Sequence, residues 1–172
     1  IKGIQLVLAR IYEGFFNRTP GGAPFLHEFG HLLDYFGQGA GVGIGLPPGL
    51  RRNESDTYSA DAHAHFRKGK QLELDRYQHC CSGKWQADDP IPIGHPYVFK
   101  NDSEFLAGYL EMFFRNPHYF AENNPDLFQG FAGLFRQDPR QVWEQDYPYY
   151  VNINRETYWS GKIPPRPNLS IR

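Results

Sequence analysis

Two histidines four positions apart, inside a segment with helical periodicity, constrain the fold of this chain more than any other feature. His27 and His31 lie in residues 23–36, where apolar residues recur at helical spacing, Pro24 suits a first turn and Gly37 suits the end. Residues i and i+4 of a helix lie on one face, so both imidazoles can reach the same metal ion. The sequence therefore predicts a helix that offers two metal ligands, and the fold has to bring further ligands to that face.

Glu28 completes an H-E-x-x-H sequence with these histidines. It lies one residue further round the helix, where a carboxylate can take a proton from a water at the metal but cannot fill a ligand position. A catalytic zinc site usually has three protein ligands and a water, and an H-x-x-G-x-x-H continuation that would supply a third histidine is absent. A carboxylate on a second helix remains, and Glu104, in the helix predicted over residues 103–115, fits that role.

The chain as a whole predicts a mainly helical α+β domain with one short sheet near the N-terminus. Residues 1–11 are typical of a strand, although a short buried helix is also compatible with them. Further helices are predicted over 103–115 with Asn101 or Asp102 as N-cap, from Asn124 and Pro125 onward, and from Asp138 and Pro139 through Val142 and Trp143. The other segments are a loop over 37–49, weak helical character over 56–76, extended or turning chain over 86–96, and an extended tail at 163–167.

Charge and hydropathy argue against two classes of protein. The chain has 18 Lys and Arg against 19 Asp and Glu, a formal net charge of −1, and no basic block, so a surface that binds nucleic-acid phosphates is not expected. A mean hydropathy of −0.60 argues against a membrane span. Cys80 and Cys81 are neighbours in sequence, so no disulfide framework is expected.

Three short segments together resemble the family of the anthrax lethal factor catalytic domain, which includes the secreted Pro-Pro endopeptidases. Residues 25–34, FLHEFGHLLD, resemble the active-site helix of that family, and residues 101–107, NDSEFLA, resemble its second helix, whose Glu is the third zinc ligand. Residues 124–128, NPDLF, resemble the start of the helix that follows. Tyr97 lies seven residues before Glu104, where the family has a tyrosine that assists catalysis beside the metal.

The resemblance implies a zinc-dependent endopeptidase with one catalytic zinc ion. In that mechanism His27, His31 and Glu104 hold the ion and a water takes the fourth position. Glu28 is the general base that takes the proton of the water and later delivers it to the leaving amine. Tyr97 donates a hydrogen bond to the developing oxyanion.

The resemblance also implies the organisation of the chain. A zincin-like metalloprotease domain is expected over residues 1–150, with an insertion at about 37–95, and a Tyr- and Pro-rich C-terminal tail over 151–172. A protein or peptide substrate would pair with a strand at residues 4–11. We expect a monomer, and the resemblance implies that it is secreted or extracellular.

The sequence departs from the family at two points. Gly108 stands where the family usually has an acid that braces a zinc histidine, one turn after the ligand Glu. Glu111 lies two turns after Glu104, but a solvated helix Glu is the favoured interpretation of that residue. The 72 residues between His31 and Glu104 exceed the usual gap, which is why an insertion is expected.

Several other residues leave alternatives open. Asp34 is as compatible with orienting a metal ligand as with a local pair, and His95 is expected to be exposed, with donation to the oxyanion as the less favoured alternative. A second metal site is also less favoured than ordinary surface and core positions for a group of residues in the insertion: His63, His65, His79, Cys80 and Cys81.

A non-catalytic function is the competing hypothesis. A zincin fold could keep the metal for stability and bind a partner through its Tyr- and Pro-rich surface. Gly108 and the short N-terminal region favour that hypothesis slightly. Glu28 and Tyr97 favour the enzyme, because a binding module needs neither residue.

Overall fold

A computed structural model describes residues 23–36, 60–146 and 148–160, and all regular structure in these ranges is helical. The α-helices are α1 (Pro24–Phe36), α2 (Ala60–Cys81), α3 (Asp102–Arg115), α4 (Pro117–Asn123), α5 (Pro125–Phe135) and α6 (Pro148–Ser160), and 3-10 turns form at Pro96–Lys100 and Pro139–Gln141. The mainly helical character that the sequence predicted is therefore confirmed. No β-strand occurs within these ranges, so the N-terminal sheet is not supported, and the strand expected at residues 1–11 lies outside them.

The helices with clear end signals form where the sequence predicted them. α3 begins after Asn101, whose side-chain oxygen accepts a hydrogen bond from the backbone N–H of Glu104 at 2.9 Å. α5 begins after Asn124, which caps the helix in the same way through the backbone N–H of Leu127 at 3.0 Å. Asn101 is thus the N-cap of α3, and Asp102 is its first residue.

Three helical predictions need correction. α2 is a full helix of 22 residues, not a weakly helical segment. The helix expected from Asp138 through Trp143 is wrong, because Asp138 caps only a 3-10 turn of three residues. α6 was not predicted, and it occupies the start of the segment that was expected to be a tail. The tail end at residues 163–167 lies outside the described residues.

The hydrophobic core lies where α2, α3 and α5 meet, and it is built from aromatic rings. Phe113 of α3 lies 5.6 Å from Phe131 of α5 between ring centroids, and Phe66 of α2 lies 5.5 Å from the same ring. All three side chains are fully buried. Burial of such rings is the main source of folding free energy in this part of the chain.

Two pairs of helices approach each other closely at a glycine. α2 packs on α5 at Gly69, where an added Cβ would overlap the backbone of Leu127. α1 packs on α3 at Gly30, where an added Cβ would lie 2.7 Å from the Cα of Ala107. Since Gly30 belongs to the H-E-x-x-H sequence, the two histidines are on the face of α1 that lies against α3.

No helix in the described ranges is both long enough and apolar enough to cross a bilayer.

Candidate metal centre

Three potential metal ligands converge between α1 and α3. Nε2 of His27 lies 3.0 Å from Oε2 of Glu104, and Nε2 of His31 lies 3.4 Å from the same oxygen. The two imidazole rings meet edge to face with centroids 4.9 Å apart. The helical spacing of the histidines and the cap that starts α3 before Glu104 together bring these side chains to one point.

The donor set fits a divalent metal ion. One ligand atom from each of His27, His31 and Glu104 lies within 4.8 Å of the others, and among the described residues this is the group of His, Cys, Asp and Glu side chains that does so. Ligand atoms of a tetrahedral ion with bonds of about 2.0–2.2 Å lie roughly 3.3 Å apart, and the contacts above have that size. Two imidazoles and a carboxylate are also a donor set that catalytic zinc sites use.

Glu111 is part of this site, and its interpretation as a solvated helix residue is wrong. The residue is 4% exposed, and its carboxylate accepts a hydrogen bond from the backbone N–H of Ala23 at the start of α1. The other carboxylate oxygen lies 3.8 Å from Nδ1 of His27. Burial lowers the pKa of His27, but the hydrogen bonds and charges of Glu111 and Glu104 outweigh burial and raise it above its usual value.

The position of Glu111 explains how the site tolerates Gly108. An added Cβ at Gly108 would overlap the side chain of Val98, so the acid that the family usually has there does not fit in this chain. Glu111 approaches His27 from the next turn of α3 instead. A carboxylate beside the far nitrogen of a ligand histidine orients the ring and raises its basicity.

Ser103 contacts a ligand histidine, and the sequence analysis did not predict this contact. Its hydroxyl oxygen lies 3.0 Å from Nδ1 of His31. Because α1 runs antiparallel to α3, His27 lies beside Glu111 and His31 lies beside the N-terminal turn of α3. Both histidines thus turn Nε2 towards Glu104 and have Nδ1 beside a polar residue of α3. The position of Ser103 next to Glu104 in sequence could have indicated that it lies near the site. Assigning it to His31, however, requires the direction of α1 relative to α3.

Tyr97 reaches the same site from the 3-10 turn Pro96–Lys100. Its hydroxyl donates a hydrogen bond to Oε1 of Glu104 at 3.0 Å, and its ring lies 6.4 Å from that of His27 between centroids. The side chain is 50% exposed. Desolvation, the hydrogen bond to Glu104 and the charges of Glu104 and Glu28 all raise the pKa of the Tyr97 hydroxyl, so it stays protonated. Glu28 is half-buried on α1.

The sequence allowed more than one environment for His95 and Asp34, and the structure shows the environment of each. Nδ1 of His95 accepts a hydrogen bond from the backbone N–H of Tyr97 at 3.1 Å, so His95 is the N-cap of the turn that carries this tyrosine. Desolvation lowers the pKa of His95, and the charge of Glu111 opposes that effect. His95 is half-buried rather than exposed, and Asp34 is fully buried.

The histidines and cysteines of the expected insertion do not converge. His65 contacts Asp126 at 2.8 Å near one end of α2, and His79 contacts Asp89 at 2.8 Å near the other end. His79 lies fourteen positions after His65 on the same helix, a rise of about 21 Å. A shared second metal site is therefore not supported among the described residues.

Comparisons with known proteins agree with a metal-dependent site. The sequence model of a family described as glucose-regulated metallo-peptidase M90 matches residues 2–136. The chain is 29% identical over 128 residues to Mlc titration factor A of Pectobacterium atrosepticum. That match covers 72% of this chain and 43% of the relative, so the chain spans less than half the length of that protein. No solved structure matches significantly.

Proposed function

The chain belongs to the glucose-regulated metallo-peptidase M90 family, and we propose that it is a zinc-dependent endopeptidase of the lethal factor type. In this proposal His27, His31 and Glu104 are the protein ligands of one zinc ion. Glu28 and Tyr97 are the catalytic residues. Protein or peptide chains are the substrates.

One observation carries the proposal: one nitrogen of each histidine and the Tyr97 hydroxyl meet at a single carboxylate, that of Glu104. Glu104 is 3.4 Å or less from both histidines through Oε2 and 3.0 Å from the tyrosine hydroxyl through Oε1. A non-catalytic metal site needs ligands, but it does not need a half-exposed phenol beside them. The arrangement therefore favours the enzyme over the binding module.

Glu28 supplies the proton transfers of the proposed reaction. When bound, a zinc ion lowers the pKa of water and polarises the carbonyl group of the scissile bond. The half-buried Glu28 carboxylate follows His27 directly on α1, and its charge contributes to raising the pKa of the Tyr97 hydroxyl. Glu28 takes the proton of the attacking water and delivers it to the nitrogen of the leaving amine.

Tyr97 supplies a hydrogen bond to the tetrahedral intermediate. Its hydroxyl is protonated at neutral pH, because burial and the nearby carboxylates raise its pKa. In the free enzyme this hydroxyl donates to Oε1 of Glu104. During the reaction it donates instead to the oxygen on which negative charge develops, which lowers the barrier selectively in the transition state.

The remaining expectations about this chain keep the status of predictions. They are the zincin-like domain over residues 1–150 with its insertion, the monomeric state and the extracellular location. The strand at residues 4–11 that would pair with substrate lies outside the described residues.

Hydrolysis of a generic unfolded protein by the purified chain tests the proposal, with Glu28→Gln as the critical variant. The amide is nearly isosteric but cannot accept a proton, so we expect activity to fall by orders of magnitude while zinc content and melting temperature stay near the parent values. Glu144→Gln is the matched control, since Glu144 is an exposed residue on a different part of the chain.

Two results would overturn the proposal. Retention of most activity in Glu28→Gln would contradict the proton-transfer mechanism. Zinc binding by a parent protein that cleaves no substrate in a diverse peptide library would favour the binding module instead.

A further inference from the structure

We propose that Tyr109, anchored on the buried Glu73, is a positioning residue that holds the turn bearing Tyr97 at the metal centre. The inference rests on the proposed function, because it assigns a role in the same reaction. Neither Tyr109 nor Glu73 is a metal ligand. Tyr109 lies on α3, and Glu73 lies on α2 within the segment expected to be an insertion.

The backbone of Gly94 is held on both sides of its Cα by tyrosine hydroxyls. Its N–H donates a hydrogen bond to the hydroxyl oxygen of Tyr109 at 3.1 Å. Its carbonyl oxygen accepts a hydrogen bond from the hydroxyl of Tyr158 at 2.7 Å. Gly94 is three residues before Tyr97 and directly precedes His95, which caps the turn. A shift of the Gly94 backbone would therefore displace the turn and its tyrosine.

Glu73 holds the Tyr109 hydroxyl in place on the side opposite Gly94. The Tyr109 hydroxyl donates to Oε2 of Glu73, and the same oxygen accepts from the backbone N–H of Ile93 at 2.7 Å. Burial and the charge of Glu73 raise the pKa of Tyr109 well above its usual value, so the hydroxyl keeps the proton that it donates. The loop is thus tied to Glu73 twice, directly through Ile93 and indirectly through Tyr109 and Gly94.

Glu73 itself has a single well-defined orientation. Its second oxygen, Oε1, accepts hydrogen bonds from Nη1 of Arg76 at 2.8 Å and from Nδ2 of Asn124 at 3.0 Å. The side chain is fully buried. A buried carboxylate with four donors is held firmly, because any rotation would leave donors or the charge unpaired in an apolar interior.

The ring and the hydroxyl of Tyr109 have separate roles. The ring stacks on Phe105 at 4.2 Å between centroids and lies 5.8 Å from Phe120, so it belongs to the aromatic core. The hydroxyl contacts only Glu73 and the backbone of Gly94 among the hydrogen bonds that the structure describes. Tyr109→Phe therefore keeps the core packing and removes the link to the loop.

Kinetics of Tyr109→Phe test the inference. We expect kcat to fall on the order of 10-fold with KM changed less than about 2-fold, because a displaced Tyr97 loses its hydrogen bond in the transition state while substrate binding is largely kept. In a Tyr97→Phe background the same substitution should change kcat by less than about 2-fold, since the hydroxyl that it positions is already gone. The matched control is Tyr119→Phe, which alters a partly buried tyrosine of the core edge and should leave kcat unchanged.

An equal loss of kcat in both backgrounds would overturn the inference, because it would indicate a general effect on the core. An unchanged kcat in Tyr109→Phe would overturn it as well.

Hydrogen exchange gives a readout that does not depend on activity. In Tyr109→Phe we expect the backbone amides of residues 93–98 to exchange at least about 10-fold faster, while those of α1 keep the parent rates. Unchanged exchange in 93–98 would overturn the inference whatever the kinetics show. If the parent cleaves no peptide, the proposed function fails, and faster exchange confined to 93–98 would still show that Tyr109 holds the turn.

Discussion

The helix pairs α1–α3 and α2–α5 both approach closely at a glycine but are held together by different forces. The pair α2–α5 meets at Gly69 and buries Phe66 and Phe131, both fully excluded from water. The pair α1–α3 meets at Gly30 and places histidines against the side chains of Ser103, Glu104 and Glu111. Fully buried aromatic rings dominate the first contact, although polar pairs such as His65–Asp126 flank it, and the second contact is polar and partly exposed.

The difference separates stability from metal affinity. Burial of aromatic rings between α2 and α5 contributes folding free energy with no ligand present. The imidazoles and carboxylates between α1 and α3 must be desolvated to pack, which costs free energy. A bound cation offsets that cost fully, because it neutralises the carboxylates and coordinates the imidazoles. Substitutions between α2 and α5 should therefore lower the free energy of unfolding, and substitutions between α1 and α3 should lower zinc affinity or turnover.

Loss of a ligand in the polar pair should have the largest effect. In Glu104→Ala we expect zinc affinity to fall more than about 100-fold, because even outer contacts of ligands cost 10–100-fold and Glu104 is placed to bind directly. The zinc content after dialysis measures this. Full zinc retention would remove Glu104 from the site. His63→Ala, which alters a histidine of α2, should keep the parent zinc content.

Removal of a core ring should destabilise the fold without changing the metal site. Phe131 contacts Phe66, Phe113 and Phe120 at centroid distances of 5.5, 5.6 and 6.0 Å. We expect Phe131→Ala to lower the free energy of unfolding by about 3–5 kcal/mol, measured by urea denaturation of the metal-free protein. Zinc bound per folded chain should stay unchanged, and a parallel loss of zinc affinity would show that the pairs are not independent.

Loss of the phenol at the polar pair should affect turnover alone. Tyr97→Phe removes one hydroxyl, which donates a hydrogen bond to Glu104 in the structure. We expect kcat to fall about 10²–10³-fold with KM and zinc content near the parent values, as for the loss of one oxyanion donor. Steady-state kinetics check this, and parent turnover in the variant would leave His95 as the next donor to test.

A change in the carboxylate that supports His27 should weaken the metal site moderately. In Glu111→Gln the side chain keeps its size but loses its charge, so the interaction with Nδ1 of His27 weakens. We expect zinc affinity to fall about 10–100-fold, measured by competition with a chelator. Glu122→Gln, at an exposed position on α4, is the matched control and should bind zinc as the parent does.

The polar pair was predictable from the sequence because its signals are local. The spacing of His27 and His31 needs only a helix, and the cap at Asn101 places Glu104 in the first turn of another. Glu111 was misjudged because burial of a helical carboxylate depends on which helix covers that face. The contact made by Ser103 depends on the direction of α1, which no local pattern carries.

The α2–α5 pair was less predictable because the buried face of α2 contains few large apolar residues. The buried positions of α2 are Ala62, Phe66, Gly69 and Glu73, at helical spacing. Only Phe66 is a large apolar residue, so hydrophobic periodicity is weak although the helix is long. Gly69 is buried by close approach to α5, and Glu73 is buried by its hydrogen bonds, and both causes are tertiary.

The N-caps of α3 and α5 provide the most direct test of the difference between the pairs. Asn101 is an exposed cap whose side chain accepts one hydrogen bond, from the N–H of Glu104. Asn124 is a fully buried cap that also donates to the carbonyl oxygen of Gly69 at 2.9 Å and to Glu73. The two substitutions therefore remove the same local bond from different surroundings.

We expect Asn101→Ala to lower the free energy of unfolding by about 1 kcal/mol, the usual cost of an exposed cap. Asn124→Ala should cost more, because it also removes the buried hydrogen bonds to the carbonyl oxygen of Gly69 and to Glu73, each worth roughly 0.5–3 kcal/mol. Urea denaturation of both variants without metal measures the two losses. Equal losses would mean that the surroundings of a cap do not matter here, and the distinction between the exposed polar pair and the buried apolar pair would then be wrong.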